Sequence, residues 1–279
     1  MKDLIQNKLG RYNLTCAEDE LMALKEITQE VALYSLQKAG FFRKACFIGG
    51  TSLRILHGVS RFSEDLDFST NTNDSEFDLE YYLGRAMNDM NAFGYDLSIN
   101  KKDLDDKAVK SRFLKDDSIK KVLTFQYKQD SRQKIKIKVE IDTNPPLGAN
   151  RVVEYIDFPE DFSIASFDLP SLMSGKIHAL LCRPYPKGRD WFDFLWYISN
   201  KVSPNLLFIK NALFQLGPWK EEDINVDISF VKKELLAKIM LLNFDDIRDD
   251  AQKFLMKEKA KSLDMWGRDL FENKINKLF

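Results

Sequence analysis

Between residues 17 and 39, Leu21, Leu24, Ile27, Val31, Leu33 and Leu36 recur at roughly helical spacing, and Thr15 ahead of Glu18 resembles a capping box. That stretch is predicted as a long amphipathic helix. It leads into a short apolar run, Ala45-Cys46-Phe47-Ile48, that reads as a strand. A helix over residues 51–57, a strand over 65–69 and a second helix over 75–93, ending near Gly94, follow. From residue 95 the period shortens, and strand-like stretches are predicted at 95–99, 122–127 and 135–142. The last alternates most cleanly. Ile135, Ile137, Val139 and Ile141 share one face, Lys136, Lys138, Glu140 and Asp142 the other, before Pro145 and Pro146 end the run. After Leu169-Pro170 the pattern turns helical, with segments at 171–181, 190–198, 204–215, 229–242, 244–257 and 260–278. The chain therefore reads as α+β, with an α/β core over residues 1–165 and a helical domain over 166–279.

Composition adds bounds to this picture. A chain of 279 residues, 44% of them hydrophobic, has ample material for a core. With 42 basic and 43 acidic residues, no global positive charge advertises a nucleic-acid partner. The exception is local: residues 101–138 hold thirteen Lys or Arg against six acids. That excess suits an RNA-facing edge and equally suits lysines guarding strand edges. No run of eighteen uncharged apolar residues occurs, and the first residues lack the apolar segment of a signal peptide, so a soluble cytoplasmic protein is expected, with no membrane contact. Cys16, Cys46 and Cys182 are odd in number and widely spaced, and His57 and His178 are the only histidines, so neither a zinc site nor redox chemistry is suggested.

Carboxylates carry the candidate chemistry. Asp65 and Asp67 are one strand repeat apart and project together, while Leu66 and Phe68 point to the other side. Two such groups can share a hard cation, and Mg²⁺ needs only one or two protein carboxylates when phosphates complete its shell. Just upstream, Gly49, Gly50 and Thr51 link a strand to a helix start, a place where backbone N–H groups face an anion and Thr51 can cap the helix. A third carboxylate is expected from the polar face of the strand at 135–142, from Glu140 or else Asp142. Lys176 can neutralise a triphosphate, and Arg183 can fork onto phosphate or a carboxylate. Asp190 and Asp193 lie one helical turn apart beside Lys187 and Arg189 in an aromatic stretch, so they are expected to be paired with neighbouring charges or with substrate.

The order of Ile48-Gly-Gly-Thr51, then Arg61-Phe-Ser-Glu-Asp-Leu-Asp-Phe68, then Lys176-Ile-His-Ala-Leu, then Arg189-Asp-Trp-Phe-Asp193 resembles the AbiEii/AbiGii toxin family of nucleotidyltransferases, related to the MenT toxins. The resemblance spans about residues 20 to 200. It implies a DNA polymerase β-like core, a mixed sheet flanked by helices and followed by a helical region. It implies transfer of NMP from an NTP with two Mg²⁺ ions to an RNA acceptor, tRNA in some relatives, by the toxin of a toxin–antitoxin or abortive-infection pair. A cognate antitoxin or transcriptional repressor would be the protein partner. In its terms Gly49, Gly50, Thr51, Arg61 and Ser63 hold the nucleotide, with Lys176 and Arg183. Asp65 and Asp67 bind metal, with Glu140 or Asp142 as third ligand, and Asp190 or Asp193 supplies the last acidic motif. Two alternatives remain: a chain that binds nucleotide, RNA or a partner without turnover, and transfer onto a protein side chain.

Overall fold

A computed structural model describes residues 2–101, 108–116, 118–119, 123–127 and 135–279. They form two compact units: Met1–Gly58, Phe62–Pro145 and Val153–Ser166 in the first, and Val59–Arg61, Pro146–Val152 and Phe167–Phe279 in the second. The chain thus passes to the helical unit at Phe167, while two short upstream segments also join that unit.

In chain order the first unit begins with α1 (Lys2–Leu9), α2 (Ala17–Lys38), β1 (Ala45–Ile48), α3 (Gly49–His57), β2 (Asp65–Thr70) and α4 (Leu79–Met90). The strands β3 (Leu97–Lys101), β4 (Val109–Asp116), β5 (Ile135–Asp142), β6 (Arg151–Ile156) and β7 (Phe162–Phe167) follow. One mixed seven-stranded sheet has the order β3-β4-β5-β2-β1-β7-β6. β2 runs parallel to β5 and antiparallel to β1, and β4 runs antiparallel to β5. The alternation of β5 decides which side is buried: Ile135, Ile137, Val139 and Ile141 are almost wholly inaccessible, together with Leu66 and Phe68 of β2. Leu24, Ile27, Val31 and Leu36 of α2 belong to the same core, and Phe41 meets Phe68 edge to face at 4.7 Å. The polar side of β2 and β5 is thereby left to chemistry.

Several local expectations are corrected. Thr15 does not cap α2; Cys16 occupies that position, and the Thr15 backbone N–H and hydroxyl both donate to Asp19. The helix expected at 75–93 starts later because Asp78 caps it, accepting the Tyr81 N–H at 2.9 Å, and its last turn tightens to a 3₁₀ segment before Gly94. Residues 123–127, expected to be strand, form an irregular segment whose amides are satisfied by side chains instead. Gln6 accepts the Thr124 N–H, and Glu20 accepts those of Gln126 and Tyr127. β4, β6 and β7 were not anticipated. β4 buries Ser111, Arg112 and Asp116, polar residues that hide its alternation. Of the basic excess at 101–138, residues 102–107, 117, 120–122 and 128–134 lie outside the described residues.

One buried acid gives the first unit a pH dependence. Glu30 on α2 is 3.1 Å from Lys8 of α1, yet burial outweighs that cation and pushes its carboxyl up to about 7 from an ordinary 4.5. The folded state thus keeps a proton that the unfolded chain has released. Stability falls as pH rises from about 4.5 to about 7, by a total of about 3 kcal/mol, and is flat above that. Glu30→Gln is expected to flatten this slope in chemical denaturation run from pH 4.5 to 8; an unchanged slope would show that the proton sits elsewhere.

The second unit contains α5 (Leu169–Cys182), α6 (Gly188–Ser199), α7 (Leu206–Gln215), α8 (Ile228–Ile239), α9 (Phe244–Gln252), α10 (Lys257–Ala260) and α11 (Arg268–Asn276). Asp168, Asn205, Asp227 and Asn243 cap α5, α7, α8 and α9 through side-chain acceptors. The helix expected at 260–278 is broken into a 3₁₀ segment and α11, with Trp266 and Gly267 in extended backbone between them. Trp191 and Trp266 both meet Phe271 edge to face in this unit's core. Gly188 opens α6 where a Cβ would overlap the Ile247 carbonyl of α9, so only glycine lets these two backbones touch. Among the described residues, no helix is long and apolar enough to cross a membrane.

Candidate active site

The acidic face of the first unit is assembled by strand register. Asp67 is the Cα partner of Glu140 across the parallel β2–β5 pair, and Asp65 is the partner of Lys138. Paired residues of a parallel ladder share a face, so Asp65, Asp67 and Glu140 stand on one side while Leu66, Phe68, Val139 and Ile141 fill the core on the other. Glu140 is held by Lys138, its Nζ 2.6 Å from Oε2. Lys138 went unassigned in the sequence, although the alternation already placed it on this face. Asp142 lies one repeat further along, opposite Ser69; it accepts the Asn144 N–H at 2.9 Å, and burial pushes its carboxyl up. Of the two candidates, Glu140 is the register partner of Asp67.

The glycine turn is pressed against this face. β1 ends at Ile48, itself the antiparallel partner of Asp67, and the chain enters α3 through Gly49 at φ +81°, a left-handed conformation that side chains resist. A Cβ on Gly49 would overlap the Asp67 carboxylate. Glycine is therefore required twice, by its backbone angle and by the carboxylate beside it. α3 starts at Gly49 rather than at residue 51, so Thr51 is not its cap. Thr51 is buried inside the first turn and its hydroxyl donates to the Asp65 carbonyl, tying the helix start to the acidic strand. Ser63 enters the hydrogen-bond pattern through its carbonyl, which accepts from Gln29 at 3.1 Å.

The distal motifs meet within the helical unit. Arg61, expected at the nucleotide, is buried and closes its guanidinium on Asp193, Nε to Oδ1 at 2.6 Å and Nη2 to Oδ2 at 2.5 Å. Lys176 on α5 lies 2.8 Å from Asp190 and 2.9 Å from Asp193, both on α6, and Arg183 also pairs with Asp190. Three cations thus surround two carboxylates. Burial works against the charge of Lys176, but Asp190 and Asp193 outweigh it and raise its pKa. Burial likewise pushes Asp190 up, and Lys176 and Arg183 more than reverse it, leaving it below the ordinary carboxylate value. Asp190 and Asp193 thus hold and orient cations in this unit.

The donors of the first unit suit a hard divalent ion: they are all oxygen, stand on one face, and need only partial coordination when phosphates and water supply the rest. Among the described residues, no three of His, Cys, Asp and Glu are already gathered as a metal cage, and Glu140 would exchange Lys138 for the ion. A sheet-borne set of carboxylates beside a helix N-terminus is an arrangement suited to phosphoryl transfer. The chain belongs to the AbiEii family of nucleotidyl transferase toxins of type IV toxin–antitoxin systems, whose model matches residues 31–270. It is thus a nucleotidyltransferase of that toxin family. Its fold is similar to that of MenT4, a nucleotidyltransferase toxin from Mycobacterium tuberculosis H37Rv, at 17% identity over 99% of this chain and 98% of that one, with a TM-score of 0.53. It is also similar to JHP933 from Helicobacter pylori, at 20% identity over 90% and 94% of the chains, with a TM-score of 0.50. No curated protein sequence matches the chain.

Proposed function

We propose that this protein transfers NMP from an NTP to a hydroxyl of an RNA acceptor, tRNA being the first candidate, with Asp65, Asp67 and Glu140 as ligands for Mg²⁺. The observation that carries this reading is the register of Asp67 with Glu140, with Gly49 packed against the Asp67 carboxylate. Mg²⁺ bound there would supply Lewis acidity to the reacting hydroxyl and charge neutralisation to the departing pyrophosphate. The first turn of α3 offers backbone N–H groups to the triphosphate. Thr51 keeps that turn fixed on the strand that bears the carboxylates, so donors and ligands move together. Lys176 and Arg183, both paired with Asp190, are proposed as further phosphate contacts. The acceptor hydroxyl attacks the α-phosphorus in line, the P–O bond to pyrophosphate breaks, and the hydroxyl proton passes to solvent. The cognate antitoxin would be the protein partner.

Each α-³²P-labelled NTP, incubated with the protein, Mg²⁺ and total tRNA, is expected to leave label on RNA. Label on the protein would instead make a side chain the acceptor, and bound NTP without label transfer would make the chain a non-catalytic binder.

Gly49→Ala follows as a sharper probe of the turn. The left-handed backbone angle costs about 1–2 kcal/mol in stability, and the new methyl displaces Asp67. A shift of that kind is expected to reduce transfer about a hundredfold. Thermal melting and single-turnover labelling separate the two effects; wild-type turnover would mean that Asp67 need not sit where the glycine lets it.

A further inference from the structure

A second feature lies wholly within the helical unit. A cleft of about 150 Å³ is formed by the end of α5, the loop that follows it, the start of α6, the end of α8 and the chain just after it. Leu180, Trp191 and Leu242 give it apolar walls, and Arg183, Lys187 and Lys238 bring three cations to it. The one carboxylate among its described lining residues, Asp190, is already closed on Lys176 and Arg183. Its lining includes the loop Arg183-Pro184-Tyr185-Pro186-Lys187, in which two prolines stiffen the chain around a tyrosine that is 80% exposed.

An aromatic ring held out on a stiff loop beside dispersed cations is a stacking platform for single-stranded nucleic acid, since every base has a face to stack and every linkage carries one negative charge. The cleft does not suit a metal-bound triphosphate, because it has no uncommitted carboxylate for the ion and its cations are spread over a loop and a separate helix. We infer that this cleft holds a nucleotide of the acceptor RNA, with a base stacked on Tyr185 and phosphodiesters on Lys187 and Lys238. The inference rests on the RNA-acceptor reading above and adds the surface that recognises the strand.

The probe is a fluorescein-labelled single-stranded oligoribonucleotide, its binding to the full chain followed by anisotropy across a salt series. Tyr185→Ala is expected to weaken binding about tenfold while Tyr185→Phe binds as wild type. Lys187→Gln/Lys238→Gln is expected to weaken it further and to lower the slope of log K against log salt by about 0.7 for each phosphate that is no longer neutralised. Wild-type melting curves for these variants exclude misfolding, and Tyr185→Phe serves as the folded reference if Tyr185→Ala melts early. The inference is overturned if all variants bind RNA as wild type, or if wild type binds none. It is equally overturned if the variants lose a fluorescent NTP analogue rather than RNA, or lose only an acidic protein partner. RNA binding that depends on Tyr185 in a wild-type protein with no transfer activity would sink the transferase reading and leave this surface standing.

Discussion

Asp67→Ala is expected to reduce nucleotide transfer by about a thousandfold, some 4 kcal/mol of transition-state stabilisation, with little change in melting temperature. The partition follows from position. Asp67 is on the polar side of β2, so its removal leaves the packing of Leu66 and Phe68 in the core intact. Glu140→Ala should approach the same loss, whereas Asp142→Asn, one repeat further along and held by Asn144, should be mild. A metal-dependent rise in melting temperature for the wild type that vanishes in Asp67→Ala would report the same ligand without any assay of turnover. Equal losses from Glu140→Ala and Asp142→Asn would mean that strand register does not choose the third ligand.

Asp193→Ala is the second large effect, and it falls on stability. Removing this carboxylate leaves the guanidinium of Arg61 buried without its bidentate partner and takes one of two anions from Lys176. Breaking a buried pair from one side costs about 3–5 kcal/mol, because the remaining charge stays buried without the carboxylate that compensated it. Replacing both members with apolar residues, Arg61→Met with Asp193→Leu, is expected to recover much of that loss. All four tryptophans, Trp191, Trp196, Trp219 and Trp266, lie in the helical unit, so their fluorescence in a urea titration reports that unit. A double variant as unstable as the sum of the singles would mean that the network is held by more than charge compensation.

The acidic face was legible in the sequence because period-two alternation survives wherever one side of a strand is apolar. β5 matched its expected bounds and β1 did too, and both carry residues that alternate or are apolar throughout. β4 escaped notice because Arg112 and Asp116 are buried through polar partners, Glu80 and the amides of Asp96, Ser118 and Ile119, which no hydrophobic pattern records. Register was equally invisible: Glu140 and Asp142 share a face in sequence, and only the pairing of β2 with β5 sets Glu140 opposite Asp67. The closeness of Arg61 to Asp193 spans 132 positions and depends on a three-residue segment joining the helical unit, a tertiary choice that local spacing does not encode. That Asp190 and Asp193 would be paired was legible from their charged, aromatic surroundings, but the partners the structure gives them, Arg61, Lys176 and Arg183, are not supplied by the basic residues adjacent in sequence.

The carboxylates of β2 and β5 are proposed to serve NMP transfer. That role is tested most directly by offering the wild type and Asp65→Ala the same NTP labelled on either the α- or the γ-phosphate, with Mg²⁺ and total tRNA. The α label is expected to enter RNA and the γ label to appear as pyrophosphate, and Asp65→Ala is expected to yield neither. Label entering RNA from the γ position, or equal α labelling by Asp65→Ala, would contradict it.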